Sequence, residues 1–289
     1  RPTLGELEGG EVVILSNGEV FNRAIKSLAN GEEYIVEKTD YLIRHIVFKA
    51  NDGSVPSNPY VDVSAPESPS PIYASWDAST GTMTVSSQSY KVYANENAAS
   101  MFCNLSKLQS IDMDDFAMDY TKGTRSIFSG CSSLESINLA DQDLSQIVDL
   151  NFAFEGCEKL RTVSWPETGG FGDDLDMNEA FMNCSSLTSL SLSPFSNSKI
   201  TGIQEAFAGC SSLTTIDLSG LDLSMAGSVT GLFMFCTSLK SVDLSFIDWS
   251  RFEGANCWVF WGCSSLESVD LGDFYMPNAG RLDSFFDGC

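Results

Sequence analysis

Two periodicities of apolar residues follow one another inside a unit that recurs about every 26 residues over most of the chain. With a cysteine slot taken as zero, positions −7, −4, −3 and 0 are mostly apolar, as in Leu150, Ala153, Phe154 and Cys157. That is the spacing of one face of a helix. Positions +3, +6 and +8 are then apolar, as in Leu213, Ile216 and Leu218, with Thr215, Asp217 and Ser219 at the alternate places. That is the alternation of a short half-buried strand. Each unit therefore predicts a short helix, a turn at Cys-Ser-Ser, a strand and a return loop.

The slots fall at Cys131, Cys157, Cys184, Cys210, Cys236, Cys263 and Cys289, in steps of 26 or 27 residues, and Leu105 fills the slot upstream. A phenylalanine stands three residues before every slot, from Phe102 to Phe286, and a leucine three after, from Leu108 to Leu266. One unit cannot bury its own apolar face, so neighbours must stack and their strands must align in parallel. The fold class expected is α/β: a leucine-rich-repeat solenoid with one short helix and one parallel strand per repeat. Seven or eight strands at 4.8 Å would make a sheet roughly 35 Å long.

The phase Phe-x-x-Cys-x-x-Leu-x-x-Ile/Val/Leu-Asp/Asn/Ser-Leu resembles the BspA-like bacterial leucine-rich repeats, in their shorter branch marked by Phe and Cys. The resemblance is strong over residues 72–289 and weaker over Gly18–Phe48, which looks like the segment that often precedes such arrays. It implies an exported bacterial protein that displays a binding face on the cell surface, commonly for adhesion, and it brings no catalytic residue. Anchoring through a lipid on a removed N-terminal segment fits the same expectation. The chain opens at Arg1 with no signal-like apolar run, so any export signal is expected to have been cleaved.

Upstream of the repeats, three stretches are expected. Residues 1–50 form a small α+β unit. Within it, Phe21, Ala24, Ile25 and Leu28 keep helical spacing until Asn30-Gly31, and Ile43–Phe48 reads as a strand. Residues 51–71 are rich in Pro and Ser and read as a linker. Residues 72–94 alternate around the turn Asp77–Gly81 and are placed to cap the open end of the solenoid, which spans 95–289.

Charge narrows the functional classes. With 39 acidic and 16 basic residues the formal net charge is −23. Such a field repels phosphate backbones and anionic lipid, so nucleic-acid binding is excluded. No apolar run approaches the roughly 20 residues of a membrane span, so membrane insertion is excluded as well. A monomer is expected.

Catalytic and metal chemistry find little support. The single histidine, His45, has no second histidine to share a metal. Cys103 and Cys257 lie outside the repeat phase, and Cys257 is expected to be the more accessible because it replaces nothing in the pattern. The seven cysteines in phase read as a buried ladder of small apolar groups rather than disulfides. Gly169-Gly-Phe-Gly-Asp-Asp174 resembles one copy of a calcium-binding nonapeptide, but Asp176 occupies its apolar slot, so a loop insertion is the better reading. No cofactor is expected.

The candidate ligand-binding residues are of two kinds. Asp217, Asp243 and Asp270 recur at the outward +7 position of the strand, on a smooth acidic face that would meet a protein, either host extracellular matrix or another surface protein. Trp249, Trp258 and Trp261, with Tyr275 in the following loop, crowd near the C-terminal end. Their plainer reading is packing of a wide loop and end cap. The functional alternative is a sugar-stacking patch for a surface glycan.

Overall fold

The computed structural model describes residues 12–252, 254–255, 257–277, 279–281 and 284–289, so the first eleven residues of the expected N-terminal unit lie outside it. The first elements are β1 (Val13–Ile14), α1 (Gly18–Asn30) and β2 (His45–Lys49). Helix α1 begins where the side chain of Asn17 accepts the Val20 N–H at 3.1 Å. It ends at Gly31, whose φ of +69° is the left-handed conformation a glycine adopts without steric cost. Phe21 and Ile25 on its inner face are fully buried.

The next strands are β3 (Tyr60–Asp62), β4 (Ile72–Asp77), β5 (Thr82–Ser87), β6 (Val92–Tyr93), β7 (Ser110–Asp112) and β8 (Phe116–Ala117). The expected hairpin forms between β4 and β5, closed by Gly81 donating to the Asp77 carbonyl. It does not meet the first repeat directly. Strand β2 lies parallel to both β5 and β7, giving the order β3-β4-β5-β2-β7. Where a linker was expected at 51–71, β3 pairs with β4, and Val63 and Ala65 are buried. Its prolines flank the short strand, and β3 is an edge strand of the sheet. Strands β1, β6 and β8 make a second, parallel sheet.

Beyond these come β9 (Ser136–Asn138), β10 (Thr162–Ser164), β11 (Asp174–Asp176), β12 (Lys199–Gly202), β13 (Ser241–Asp243), β14 (Gly254–Ala255), β15 (Ser268–Asp270) and β16 (Ala279–Arg281). Pairs β9–β10 and β13–β15 are parallel and offset by one repeat, as the pattern demands. The single long sheet is interrupted, however. The repeats with slots at Cys184 and Cys210 carry no strand at positions +5 to +7. Single backbone bonds there, Ser186 to Glu158 and Lys240 to Thr214, still tie neighbours together.

The helix expected in each repeat is corrected by the structure: among the described residues α1 is the one α-helix. The segment from −5 to 0 is instead a ribbon of turns. In the repeat of Cys157, Ala153, Glu155 and Cys157 donate to the carbonyls three residues back. The alternate residues Phe152, Phe154 and Gly156 donate to Asn178, Ala180 and Met182 of the next repeat. A helix would send every amide to its own chain four residues back. Two left-handed residues per repeat, at −5 and −1, break that path: Phe152 and Gly156 here, Glu179 and Asn183 in the next. The apolar spacing of three and four survives because the turns also place those side chains inward.

The interior is a set of parallel rows. Seven successive phenylalanine pairs, from Phe102–Phe128 to Phe260–Phe286, stack with centroids 5.2–5.9 Å apart and planes 4–17° from parallel. Beside them each slot cysteine donates its thiol to the carbonyl of the previous repeat's phenylalanine, as Cys157 Sγ does to Phe128 O at 3.2 Å. All nine cysteines are free thiols. Burial pushes the Cys210 and Cys263 thiols up to about 12, so the row is held neutral. Cys257 is buried, against expectation, and Cys289 is the exposed thiol. Val259 and Phe260, just past Cys257, point into the same core and carry its turn inward with them.

The first repeat has no predecessor to accept from, and α1 replaces one. In later repeats the carbonyls at −4 and −2 accept amides from the repeat before, as Ile127 O and Ser129 O accept from Phe102 and Asn104. In the first repeat the equivalent carbonyls, Met101 O and Cys103 O, both accept from Asn22 Nδ2, at 3.3 and 3.0 Å. One buried amide thus serves two of the three carbonyls that a preceding repeat would reach.

Candidate functional site

The strand edge and the turn ribbon each carry candidate residues, and they are built differently. At the strand edge, Asp217, Asp243 and Asp270 are exposed as expected, but their carboxylates close turns. Asp217 Oδ1 accepts the Ser219 N–H at 2.9 Å and its hydroxyl at 2.7 Å. Asp243 accepts the Ser245 N–H at 2.8 Å and Asp270 that of Gly272 at 2.9 Å. Asn138 holds the same place in β9 and accepts from Ala140 at 3.1 Å. Aspartate recurs at +7 because its short side chain can turn the chain out of the strand.

Those bonds also fix the charge. The hydroxyl and then the N–H of Ser219 hold the Asp217 carboxyl below its ordinary range, and Ser245 does the same for Asp243, with the charge of Asp217 working slightly against it. In register, Asp243 faces Asp270 across the β13–β15 pair. The edge is a row of acidic residues among small side chains. His45 lies near it, bonded through Nδ1 to Ser110 Oγ at 2.9 Å, in an ordinary polar contact.

The aromatic group divides in two. Trp249 is not a surface residue: it is 1% exposed, and its indole N–H donates to Leu271 O at 2.8 Å. Phe252, Phe274 and Phe285 surround its ring at 5.0–6.4 Å. The return loop is wide there, and a large ring fills it, as Trp165, Phe171 and Phe195 fill another. Trp258 and Trp261 lie on the turn ribbon instead, 42% and 38% exposed, with centroids 6.4 Å apart. Tyr275 is 67% exposed on the loop after β15.

A residue absent from the sequence reading joins them. Phe235 is 44% exposed and its ring lies 4.8 Å from Trp261. It occupies slot −1, where the equivalent residues in the other repeats are glycine or asparagine. That departure was the available signal. Phe235 and Trp258 have φ of +59° and +60°, a conformation that costs a bulky residue roughly 1–2 kcal/mol.

Two concave places lie on the return loops. One, of about 620 Å³, is bounded by residues 140–144 and 166–170 and includes Asp141, Asp143 and Glu167. The other, of about 170 Å³, lies between Leu221–Ser224 and Phe246–Phe252. Asp143 near the first already accepts the Ser145 N–H. Among the described residues no group of three or more His, Cys, Asp and Glu is arranged to hold a metal ion. No helix among them is long and apolar enough to cross a membrane.

Comparison with known families agrees with this geometry. The sequence profile of the BspA type leucine rich repeat region matches in six copies, over residues 86–174 and 177–277. Searches of curated proteins and of solved structures gave no match.

Proposed function

Because the chain belongs to the BspA-type leucine-rich repeat family, we propose that it is a non-enzymatic adhesion module of a bacterial cell surface, a solenoid whose strand edge docks a partner protein. Family membership makes it a repeat-based interaction scaffold; the surface placement, the partner and the face are our reading. One observation carries the face. In β9 and β13 the middle residue is buried while both neighbours are exposed, and β10, β15 and β7 keep the outward residues exposed in the same way. These outward side chains owe nothing to the core, so they can be fitted to a ligand without loss of packing.

The row is acidic, so the matching partner surface is basic, and a host extracellular-matrix protein or another surface protein is the intended class. The net charge of −23 opposes self-association and supports a monomer. Export and an N-terminal lipid anchor complete the reading.

The test is binding of the purified chain to immobilised matrix proteins at stepped ionic strength. Asp217→Asn, Asp243→Asn and Asp270→Asn are combined, because Asn138 shows that asparagine makes the same turn. Weaker binding with a flatter salt dependence is expected, with the melting temperature little changed. Unaltered binding by that triple variant would remove the acidic edge from the function.

A further inference from the structure

Position +11 of the repeat is an apolar place: Phe116, Phe195, Leu221 and Ile247 hold it and are buried. Two successive repeats depart from that, with Gln142 and Thr168 at +11. The cavity of about 620 Å³ lies between those two return loops, and both residues line it. A break in the row of packed side chains thus leaves the space.

Gln142 is 5% exposed. Its Nε2 donates to Phe116 O at 3.1 Å and to Met113 O at 3.4 Å, both in the repeat before. The cavity lies on the other side, toward residues 166–170 of the repeat after, and the amide oxygen is turned that way. That oxygen has no hydrogen-bond partner among the described residues. A buried acceptor without a donor is destabilising, and a leucine in the same slot would avoid the penalty. The oxygen therefore points to a donor that arrives with a ligand.

The rest of the lining selects the charge of that ligand. Asp141, Asp143 and Glu167 border the cavity, and residues 140–144 and 166–170 contain no Lys, Arg or His. None of the three acids forms a salt bridge among the described residues. Burial, and after it the charge of Asp143, raise the Asp119 carboxyl, with Lys91 working against them. A bare metal ion is a poor match, because no three acidic, His or Cys side chains among the described residues are arranged to hold one. A guanidinium offers five N–H donors in a planar fork and stays charged at any working pH.

We propose that this cavity receives a guanidinium group, the side chain of an arginine on a partner protein. The carboxylates of Asp141 and Glu167 take its charge, and Gln142 Oε1 accepts one of its N–H groups. An ammonium group is a compact point charge with three donors and serves that spread of acceptors less well. The site lies on the return loops, apart from the acidic strand edge, and stands whether or not that edge binds.

The test is an NMR titration of the isotope-labelled chain with acetyl-Gly-Arg-Gly-amide, run beside the lysine and citrulline peptides. Citrulline keeps the shape of arginine and loses the charge. Saturable shifts are expected at the amides of 140–144 and 166–170, with the arginine peptide binding tightest. Asp141→Asn combined with Glu167→Gln should weaken it roughly tenfold, the loss of charge-assisted hydrogen bonds. Both side chains are exposed, so the melting temperature should stay as it was. Gln142→Leu, which restores the apolar slot, should weaken binding as well, while the strand-edge triple variant should leave it unchanged. No saturable shift, equal binding of the lysine or citrulline peptide, or affinity indifferent to the Asp141→Asn/Glu167→Gln change would each overturn the proposal. Undiminished binding by a folded Gln142→Leu chain would overturn it too; where that chain does not fold, the acidic double variant decides.

Discussion

The first repeat under its cap and the last described repeat use the same backbone and cover it differently. In the first repeat Phe102 is fully buried, in contact with Phe21 of α1, Phe48 of β2 and Phe128 of the next repeat. Asn22 serves two of the carbonyls that a preceding repeat would serve. In the last described repeat Phe286 stacks on Phe260 at 5.4 Å but is 45% exposed, and Cys289 is exposed beside it. Exposed Phe235, Trp258 and Trp261 sit one and two repeats inward from there. The difference teaches that a repeat needs two kinds of cover, for its rings and for its backbone. The cap supplies both with a few residues that do not follow the repeat pattern.

The largest effect should come from the rings. Phe102→Ala is expected to cost about 3–5 kcal/mol, and Phe286→Ala less than about 1 kcal/mol, in urea unfolding of the whole chain. Equal costs would break the contrast between the two repeats. Next comes the backbone cover. Asn22→Ala leaves two buried carbonyls without their donor and should cost about 2–3 kcal/mol. A neutral result would mean that water or another donor replaces that amide readily, and would remove it from the cap.

The smallest effect is shared by the cap and the repeats. Serine hydrogen bonds hold Asp77 low in the hairpin turn and Asp217 and Asp243 low in the later repeats. A carboxyl with a folded pKa below its unfolded value, about 3.9, contributes stability that is present above that value and is lost as pH falls through the folded one. Acid unfolding should therefore be shallower in Asp77→Asn and in Asp217→Asn/Asp243→Asn alike. A change in only one of the two would mean that cap and repeats differ in turn chemistry as well as in stacking.

Much of this was legible in the chain itself. The recurrence of Phe, Cys and Leu at fixed offsets identified which side chains share an interior, because stacking forces equivalent positions into rows. The helix in each repeat was misread for a related reason. Spacings of three and four put Leu150, Ala153, Phe154 and Cys157 inward whether amides bond within the turn or across to the next repeat. Side-chain pattern does not encode that route; the left-handed residues at −5 and −1 do, and they vary among Gly, Asn, Ser, Glu, Phe and Trp.

The candidate site divides along the same line. Composition made the surface acidic, and the repeat made the +7 aspartates an outward row. Only the tertiary structure decided that these carboxylates close turns, that Trp249 fills a return loop while Trp258 faces solvent, and that Phe235 joins Trp261. Those outcomes depend on which atoms another repeat brings near, about 26 residues away in the chain. The sequence by itself determined the register, the buried rows and the charge, since each follows from residue type and spacing. The hydrogen-bond partners and the exposure of single rings came from the fold, because they depend on how one repeat meets the next.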